Sequence, residues 1–220
     1  MANPAHRSRR GRQAEAERND RRVLDAAREV FAAQGGRATV SAIAERAGVG
    51  MGSLYRRYGS KADLLRQLCT QAMQQSIDAA EAGLAVDDPW AGLAGYVRTC
   101  VAHATGALAP LAGTIETTPQ MWEASRRGRW LLEQLVIRAQ RDRTLRPDVT
   151  ALDIAWLIES FGRQGPAAPG TPRHAVRQRL MAITLDGLRR SGPDPLPGPP
   201  PSTRLYEERW ARPAPPARSS

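Results

Sequence analysis

The sequence has few of the residues that build disulfide scaffolds, metal centres and membrane spans. Only two cysteines and three histidines occur among its 220 residues. No histidine lies near a cysteine at the spacing of metal ligands, and two isolated cysteines make no disulfide framework. No run reaches the roughly 18 apolar residues of a membrane span, and the basic start of the chain lacks a signal peptide's apolar core. We expect a cytoplasmic protein with no metal, no cofactor and no membrane contact.

Signals for strands and for catalysis are also missing. No stretch sustains the alternation of apolar and polar residues that a strand shows, so we predict an all-α fold. No serine lies in a nucleophile-elbow pattern. The glycines at 48, 50 and 52 superficially resemble a dinucleotide-binding loop, but a helix is predicted before them and Ser53 stands where that loop has its third glycine. A nucleotide-dependent enzyme is therefore only a distant alternative.

Positive charge, by contrast, is abundant and unevenly placed. The formal net charge is +10, and Lys61 is the only lysine. Residues 1–66 hold 14 Lys and Arg against 7 Asp and Glu, whereas the rest of the chain holds 18 against 15. High-GC coding explains arginine in place of lysine but not this asymmetry. The excess on the first third indicates an electrostatic footprint on nucleic acid.

The composition divides the chain into four parts. We predict a basic disordered arm at 1–17, a DNA-binding domain at 18–66 and a helical domain at 67–190. The arm either follows a DNA backbone or minor groove or is a solvated tail. Residues 191–220 hold 9 of the 17 prolines, which predicts a disordered, non-helical tail.

Residues 39–58 form the most informative stretch, which reads as helix, tight turn, helix. Thr39 is a helix cap, and the apolar residues that follow it, from Val40 to Ala47, fall at helical spacing on one face. Gly48 suits the left-handed residue that ends such a helix. A second helix then runs from Met51 to Tyr58. The alternative is any three-helix core with a glycine turn.

The outer face of the second helix is where a helix-turn-helix reads the major groove. We predict that Ser53 and Arg56 read bases, while Tyr55 and Thr39 position the DNA backbone. Lys61 lies in the first turn of the next helix, where Ser60 is the cap, and is predicted to contact phosphate. The full set of predicted DNA-binding residues is Arg37, Thr39, Gly50, Met51, Gly52, Ser53, Tyr55, Arg56, Arg57, Tyr58 and Lys61.

These residues resemble the TetR (tetracycline-repressor) family of transcriptional regulators over roughly residues 18–78. The resemblance rests on Ala26-Ala27, Phe31 and Gly35, on Ile43-Ala44 and Ala47-Gly48-Val49, and on Gly52-Ser53-Leu54-Tyr55, Tyr58, Ser60-Lys61 and Leu64-Leu65. It implies a homodimer on a palindromic operator in double-stranded DNA. It also implies a helical second domain that binds a small molecule, whose identity the sequence does not reveal.

The second domain offers two further sets of candidates. Aromatic residues in its middle helices belong to the core or to the ligand pocket that the resemblance implies, and the pocket candidates are Trp90, His103, Trp122 and Trp130. Residues 150–163 are apolar almost all round, which indicates burial on two sides, either in a dimer or in the centre of a monomer. The resemblance implies that the last two helices pair in a dimer, and the interface candidates are Trp156, Ile158, Val176, Leu180 and Ile183.

The function that follows is a homodimeric transcriptional repressor that a small molecule releases from its operator. Ligand binding would tilt the helix that starts near Lys61 and would change the spacing of the two recognition helices. A DNA-binding regulator without a small-molecule ligand is the alternative.

Overall fold

A computed structural model describes residue 19 and residues 22–31, 33–34, 37–113, 115–163, 170–189 and 194–211. The predicted arm at 1–17 lies outside these ranges. The all-α prediction is confirmed: within the described ranges, the sole β-type pairing is an isolated antiparallel bridge between Leu145 and Arg189. The helices are α1 (22–31), α2 (Val40–Ala47), α3 (Met51–Tyr58), α4 (Lys61–Leu84), α5 (Pro89–Ala102), a 3₁₀ segment (Thr105–Leu111), α6 (Pro119–Arg141), α7 (Ala151–Arg163), α8 (Pro172–Leu188) and α9 (Thr203–Ala211).

The helix-turn-helix corner forms as its sequence predicts. The Thr39 hydroxyl accepts from the Ala42 N–H and caps α2. Gly48 ends α2 at φ 65° and ψ 38°, and its N–H donates to the Ala44 and Glu45 carbonyls. A residue with a Cβ is strained in that left-handed conformation, so glycine sets the sharp bend between α2 and α3.

The first hydrophobic core joins this corner to α1 and α4. Phe31 and Ile43 are fully buried in it, and Leu54 of α3 and Leu64 of α4 pack beside them. Leu108 of the 3₁₀ segment also belongs to this core. The inner sides of α2 and α3 are thus fixed to α1 and α4, and the outer side of α3 is left uncovered.

The second core is built from α5 to α8 and the later part of α4. Leu93, Leu135 and Ile154 are among its most buried members. α5 and α6 each start with a capping residue followed by a proline: Asp88 accepts from the N–H groups of residues 90 and 91, and Thr118 accepts from that of residue 121. α4 contributes to both cores, so the predicted domain boundary near residue 66 falls inside one continuous helix.

The 3₁₀ segment and α7 meet backbone to backbone. A Cβ built on Gly106 would lie 2.3 Å from the Ile158 carbonyl oxygen, and one built on Gly162 would lie 2.2 Å from the Gly106 carbonyl carbon. Such distances leave room only for hydrogen on either glycine. The segment and the helix therefore touch more closely than side chains would permit.

The prediction for the C-terminal tail is wrong over residues 203–211, which form α9. The proline-rich stretch before α9 ends at Pro201, and the nine residues of α9 contain no proline. Ser202 caps the helix by accepting from the Leu205 N–H, and Arg204 pairs with Glu208 one turn on. Tyr206 and Trp210 lie four apart on the inward side. A local run of helix formers therefore overrides the proline-rich composition around it. Residues 212–220 lie outside the described ranges.

Among the helices of the described residues, none has the length and apolar content required to cross a membrane.

Candidate nucleic-acid interface and internal cavity

The outward face of α3 is a polar, exposed surface on a firmly packed helix. Leu54 and Tyr58 are 2% and 5% exposed and hold the inner side of α3 in the first core. Ser53, Tyr55, Arg56 and the other residues of α3 besides these two anchors are exposed. An eight-residue helix with one buried edge presents its remaining side chains to whatever approaches from solvent, which is the arrangement that a major-groove reader needs.

The N-terminal end of α3 is bare. Gly50 is its N-cap and supplies no side-chain hydrogen bond, so the first N–H groups of the helix are not capped by it. A Cβ on Gly50 or Gly52 would meet nothing within 4 Å. Nothing in the described fold therefore requires glycine at these two positions. A slim helix end with uncapped N–H groups allows a phosphate to come close.

Arg56 and Ser53 lie one turn apart on the exposed face and interact with each other. The Arg56 Nη2 donates to the Ser53 Oγ across 3.3 Å. This long hydrogen bond leaves most of the guanidinium donors of Arg56 for another acceptor. A guanidinium held at the middle of α3 matches the two acceptors on the major-groove edge of guanine.

The flanks of α3 contribute two exposed residues and one that is engaged inside the protein. Arg37 and Thr39 are exposed at the start of α2. The Lys61 ammonium instead donates to the Ala38 carbonyl across 2.5 Å and lies 5.9 Å from the centre of the Phe31 ring. This internal contact ties α4 to the start of α2, and the phosphate contact of Lys61 stays a prediction.

Tyr58 also departs from the predicted set. Its side chain is 5% exposed and belongs to the first core, because it follows Leu54 by four residues on the inner side of α3. Its ring therefore packs against the core and cannot lie on a DNA surface. Met51, Tyr55 and Arg57 remain on the outer side, where the first two are 39% and 45% exposed.

An internal cavity of about 140 Å³ lies between the two cores. Side chains of α4, α5, α6, α7, α9 and the 3₁₀ segment line it, and most of them are small or apolar. Its polar lining residues are Ser76, Tyr96, Thr105, Ser125, Arg129, Glu159 and Tyr206. A smaller cavity of about 40 Å³ adjoins it and shares Met73, Ser125, Tyr206 and Trp210 with it.

Charged groups in the cavity wall are paired with α9. The Glu159 Oε1 accepts from the Arg209 Nη2 at 2.6 Å, and the Arg129 Nη2 donates to the Glu207 Oε1 at 2.7 Å. The Glu159 Oε2 and the Arg129 Nη1 are buried and have no hydrogen-bond partner among the residues that the structure describes. Ser76 and the Tyr96 hydroxyl share a hydrogen bond of 3.0 Å, and burial raises the pKa of Tyr96 well above its usual range.

Of the four predicted pocket residues, Trp122 is the one that lines either of these two cavities within the described part of the chain. It lies in the smaller one, where its indole N–H donates to Thr117. Trp90 packs against the second core beneath the Arg189 guanidinium, 5.1 Å from its ring centre. His103 is the exposed C-cap of α5, and Trp130 is 55% exposed on α6. These three predictions are corrected, since helical spacing alone did not show which aromatic residues face inward.

The predicted dimer residues on α8 are exposed, whereas those on α7 are covered. Val176, Leu180 and Ile183 of α8 are 58%, 41% and 58% exposed, and they follow one another at intervals of four and three residues. Ile158 of α7 is 5% exposed inside the second core and cannot reach a second subunit. Trp156 is partly covered by Arg209, whose guanidinium lies 4.5 Å from its ring centre. An apolar stripe on α8 is what remains uncovered.

The sequence interpretation missed Tyr96, Arg129 and Glu159 as cavity residues. Glu159 carried a usable signal, because it is a carboxylate within an apolar run that covers almost the whole circumference of α7. A charge on a buried helix needs a partner of opposite charge. That partner is Arg209, which lies in the C-terminal segment that the sequence analysis predicts to be disordered.

Two family models match this chain. Residues 23–68 match the model described as bacterial regulatory proteins, tetR family, and residues 88–190 match the model described as the transcriptional regulator SbtR-like, C-terminal domain. α9 lies beyond the second match. The two matched segments contain the helix-turn-helix and nearly all of the second core.

Three comparisons with known proteins agree with these matches. The HTH-type transcriptional repressor LfrR of Mycolicibacterium smegmatis is 27% identical over 178 residues, which are 78% of this chain and 91% of LfrR. The crystal structure of a TetR transcription regulatory protein from Mycobacterium vanbaalenii is 30% identical with a TM-score of 0.54 and covers 80% of this chain and 98% of its own. The structure of LfrR from Mycobacterium smegmatis in complex with proflavine shares the fold, with a TM-score of 0.51, 24% identity and coverage of 80% and 99%.

Proposed function

The chain belongs to the TetR family of bacterial regulatory proteins, and from that membership we propose that it is a homodimeric repressor which a small molecule releases from a palindromic operator. As a member of this family it is a DNA-binding transcriptional regulator and not an enzyme. The helix that precedes Gly48 removes the dinucleotide-loop alternative, which required a strand there. Its proposed place of action is the cytoplasm, where the operator lies.

The exposed face of α3 carries the proposal for DNA binding. Gly48 turns α3 outward, Leu54 fixes its inner side, and Arg56 and Tyr55 remain on the outer side. We assign base reading to Ser53 and Arg56 and backbone positioning to Tyr55, Thr39 and Arg37, with the slim helix end at Gly50 and Gly52 close to phosphate. Arg57 and Met51 complete the proposed surface.

The exposed stripe on α8 supports a homodimer. Three apolar side chains on one face of a helix are costly to leave in water, and a two-fold axis would bury the same stripe of a second copy against them. Such a dimer would place two α3 helices about 34–36 Å apart, or a multiple of that distance, on DNA with two-fold symmetry. Trp156 of α7 lies against Arg209 of α9 and is left out of this proposed interface.

The internal cavity supports a small-molecule effector. α4 begins next to α3 and lines the cavity with Cys69, Met73 and Ser76, so one helix joins the DNA-binding unit to the ligand space. A ligand that favours one tilt of α4 would favour one spacing of the recognition helices. LfrR, a repressor related to this chain, has been crystallised with proflavine.

The decisive experiment selects DNA from a random pool with the full chain and then compares Arg56→Ala with the wild type on the selected sequence. We expect Arg56→Ala to relax the preference at one base pair in each half-site, with a loss of about 1–3 kcal/mol of discrimination there. Arg127→Ala, which removes an equal charge from an exposed pair with Glu81, is the matched control and should keep the preference. Selection of no sequence would refute operator recognition.

The effector is tested separately on the protein–operator complex. Compounds that raise the melting temperature of the free protein are added to the complex in a mobility-shift assay. A repressor released by a ligand should lose the operator as the ligand saturates it. Compounds that stabilise the protein but leave the complex intact would favour the alternative, a DNA-binding regulator without ligand control.

A further inference from the structure

The cavity is already partly occupied by the protein itself. Drug-sized ligand sites enclose about 300–1,000 Å³, whereas this cavity measures about 140 Å³. Tyr206 and Trp210 of α9 form one of its walls. The helix therefore stands where part of a ligand of ordinary size would lie.

α9 satisfies two opposite charges of the wall. Glu159 is 7% exposed, and its hydrogen bond to Arg209 supplies the cation that a buried carboxylate requires. Arg129, whose side chain is 19% exposed, receives the carboxylate of Glu207 in the same way. Glu207 and Arg209 are two positions apart, and such residues do not face each other on a helix, so α9 presents the anion and the cation on opposite flanks of its inward side.

Aromatic rings surround the cationic end of this arrangement. The Arg209 guanidinium lies 4.5 Å from the centre of the Trp156 ring and 5.5 Å from that of Tyr206. A flat cation between such rings gains from their electron-rich faces. One of these rings, Trp156, belongs to the body of the protein and would stay in place without α9.

Each charged group of the wall keeps one atom that no described residue pairs. The Glu159 Oε2 and the Arg129 Nη1 are buried and make no hydrogen bond to any residue within the described ranges. α9 thus leaves part of the site's hydrogen-bonding capacity unused. A ligand that reaches both atoms would make hydrogen bonds that α9 does not make. Buried unpaired polar atoms are costly, so their presence favours an alternative occupant.

The exposure of α9 and the linker that precedes it allow the helix to detach from the rest of the protein. None of its residues is buried, and its Leu205 is 55% exposed. A stretch with prolines at 195, 197 and 199–201 leads into it. It also lies beyond residues 88–190, the part of the chain that matches the family's C-terminal domain.

We propose that Glu159, Arg129 and Trp156 form a binding site for a zwitterionic aromatic ligand and that α9 is the internal occupant of this site. The ligand's cation takes the place of Arg209 and its carboxylate or phosphate takes the place of Glu207. Binding therefore displaces α9. The inference rests on the proposed function, because it names the chemical class of the effector and the element that the effector must expel.

The test uses three dyes with one flat xanthene frame and the full chain throughout. Rhodamine 110 carries a cation and a carboxylate, rhodamine 123 is its methyl ester and keeps only the cation, and fluorescein is an anion. Fluorescence anisotropy gives the affinity of each dye. In the double variant Glu207→Ala/Arg209→Ala, rhodamine 110 should bind about tenfold more tightly than in the wild type, the gain expected when an internal occupant present about 90% of the time is removed.

Further substitutions assign the two charges. Adding Glu159→Gln to the double variant should remove the gain for rhodamine 110 and for rhodamine 123. Adding Arg129→Gln to the double variant should make the affinities for rhodamine 110 and rhodamine 123 equal. An unchanged affinity for rhodamine 110 in a folded double variant, or an equal gain for fluorescein, overturns the proposal.

A measurement on the wild type guards against variants that fail to fold. Saturating rhodamine 110 should speed the hydrogen exchange of backbone amides in residues 203–211, while the amides of α5 keep their protection. Unchanged exchange in α9 at saturation overturns the proposed displacement. Because these readouts contain no DNA, they can fail while operator selection succeeds, and the reverse also holds.

Discussion

The Arg28 Nη2 donates to the Gln75 side-chain oxygen across 2.9 Å and thereby joins α1 to the middle of α4. The same nitrogen donates to Gln71 at 3.1 Å, and Nη1 pairs with Asp25 at 3.2 Å. Arg28 is 6% exposed, and burial lowers its pKa although Asp25 opposes that shift. A charge held this way resists sliding of α1 along α4, so the helix-turn-helix unit and α4 are expected to move together.

We expect Arg28→Met to destabilise the fold by about 1–3 kcal/mol, because it leaves the side chains of Gln71 and Gln75 without their shared donor. Urea denaturation followed by circular dichroism measures this loss. Arg127→Ala removes an exposed ion pair and should cost about 0–1 kcal/mol. If the two variants lose the same free energy of unfolding, the burial of Arg28 makes no additional contribution to stability.

The second prediction concerns the slim end of α3. Gly52→Ala should stabilise the isolated protein by about 0.5–1 kcal/mol, since alanine favours helix and the added Cβ meets nothing. Operator affinity should fall nonetheless, because the methyl group holds phosphate away from the helix end. Gly95→Ala in α5 also meets nothing within 4 Å and is the matched control. If both variants bind operator like the wild type, the phosphate does not approach Gly52.

The third prediction concerns the α8 stripe. Ile183→Glu should convert the proposed dimer to a monomer in sedimentation experiments without a loss of helix content, because the charge would be buried at the two-fold axis. Affinity for the palindromic operator should fall with it. Ile137→Glu, at a residue 38% exposed on α6, serves as control. A dimer that survives Ile183→Glu would place the interface elsewhere.

The fourth prediction is a dependence of stability on pH. The Arg146 side chain first, and the Leu196 N–H next, hold the pKa of Asp148 far below its usual value. A lowered folded-state pKa gives stability that is complete above the unfolded-state value of about 3.8 and is lost as pH falls toward the folded-state value. Asp148→Asn should therefore be less stable than the wild type at pH 6, and the two should converge as the solution is acidified below pH 3.8. If the difference in stability between wild type and Asp148→Asn stays constant with pH, the charge of Asp148 is not its source.

Local signals in the sequence were sufficient for most of the helical framework. Thr39, Ser60 and Thr118 cap helices in the structure because a hydroxyl next to free N–H groups acts over a few residues only. Gly48 likewise turns the chain through its own backbone preference. The outward direction of Arg56 followed from its position relative to Leu54 on the same helix.

Contacts between distant segments were not accessible in the same way. Lys61 reaches a carbonyl 23 residues earlier, and Glu159 pairs with an arginine 50 residues later. Helical periodicity says which side of a helix is apolar but not which element will cover it. Trp90, His103 and Trp130 line neither cavity for this reason, whereas Trp122 does line one. The sequence did not predict α9 because the average composition of residues 191–220 conceals a short helical run.

The close contact of Gly106 and Gly162 has a mechanical consequence. Two backbones that touch without intervening side chains cannot slip past each other by exchanging rotamers. The 3₁₀ segment must then travel with α7 as one stiff piece, and its Leu108 sits within the first core beneath the helix-turn-helix. A ligand that displaces α7 from inside the cavity would therefore also displace the 3₁₀ segment, and with it the core on which the DNA-reading helix rests.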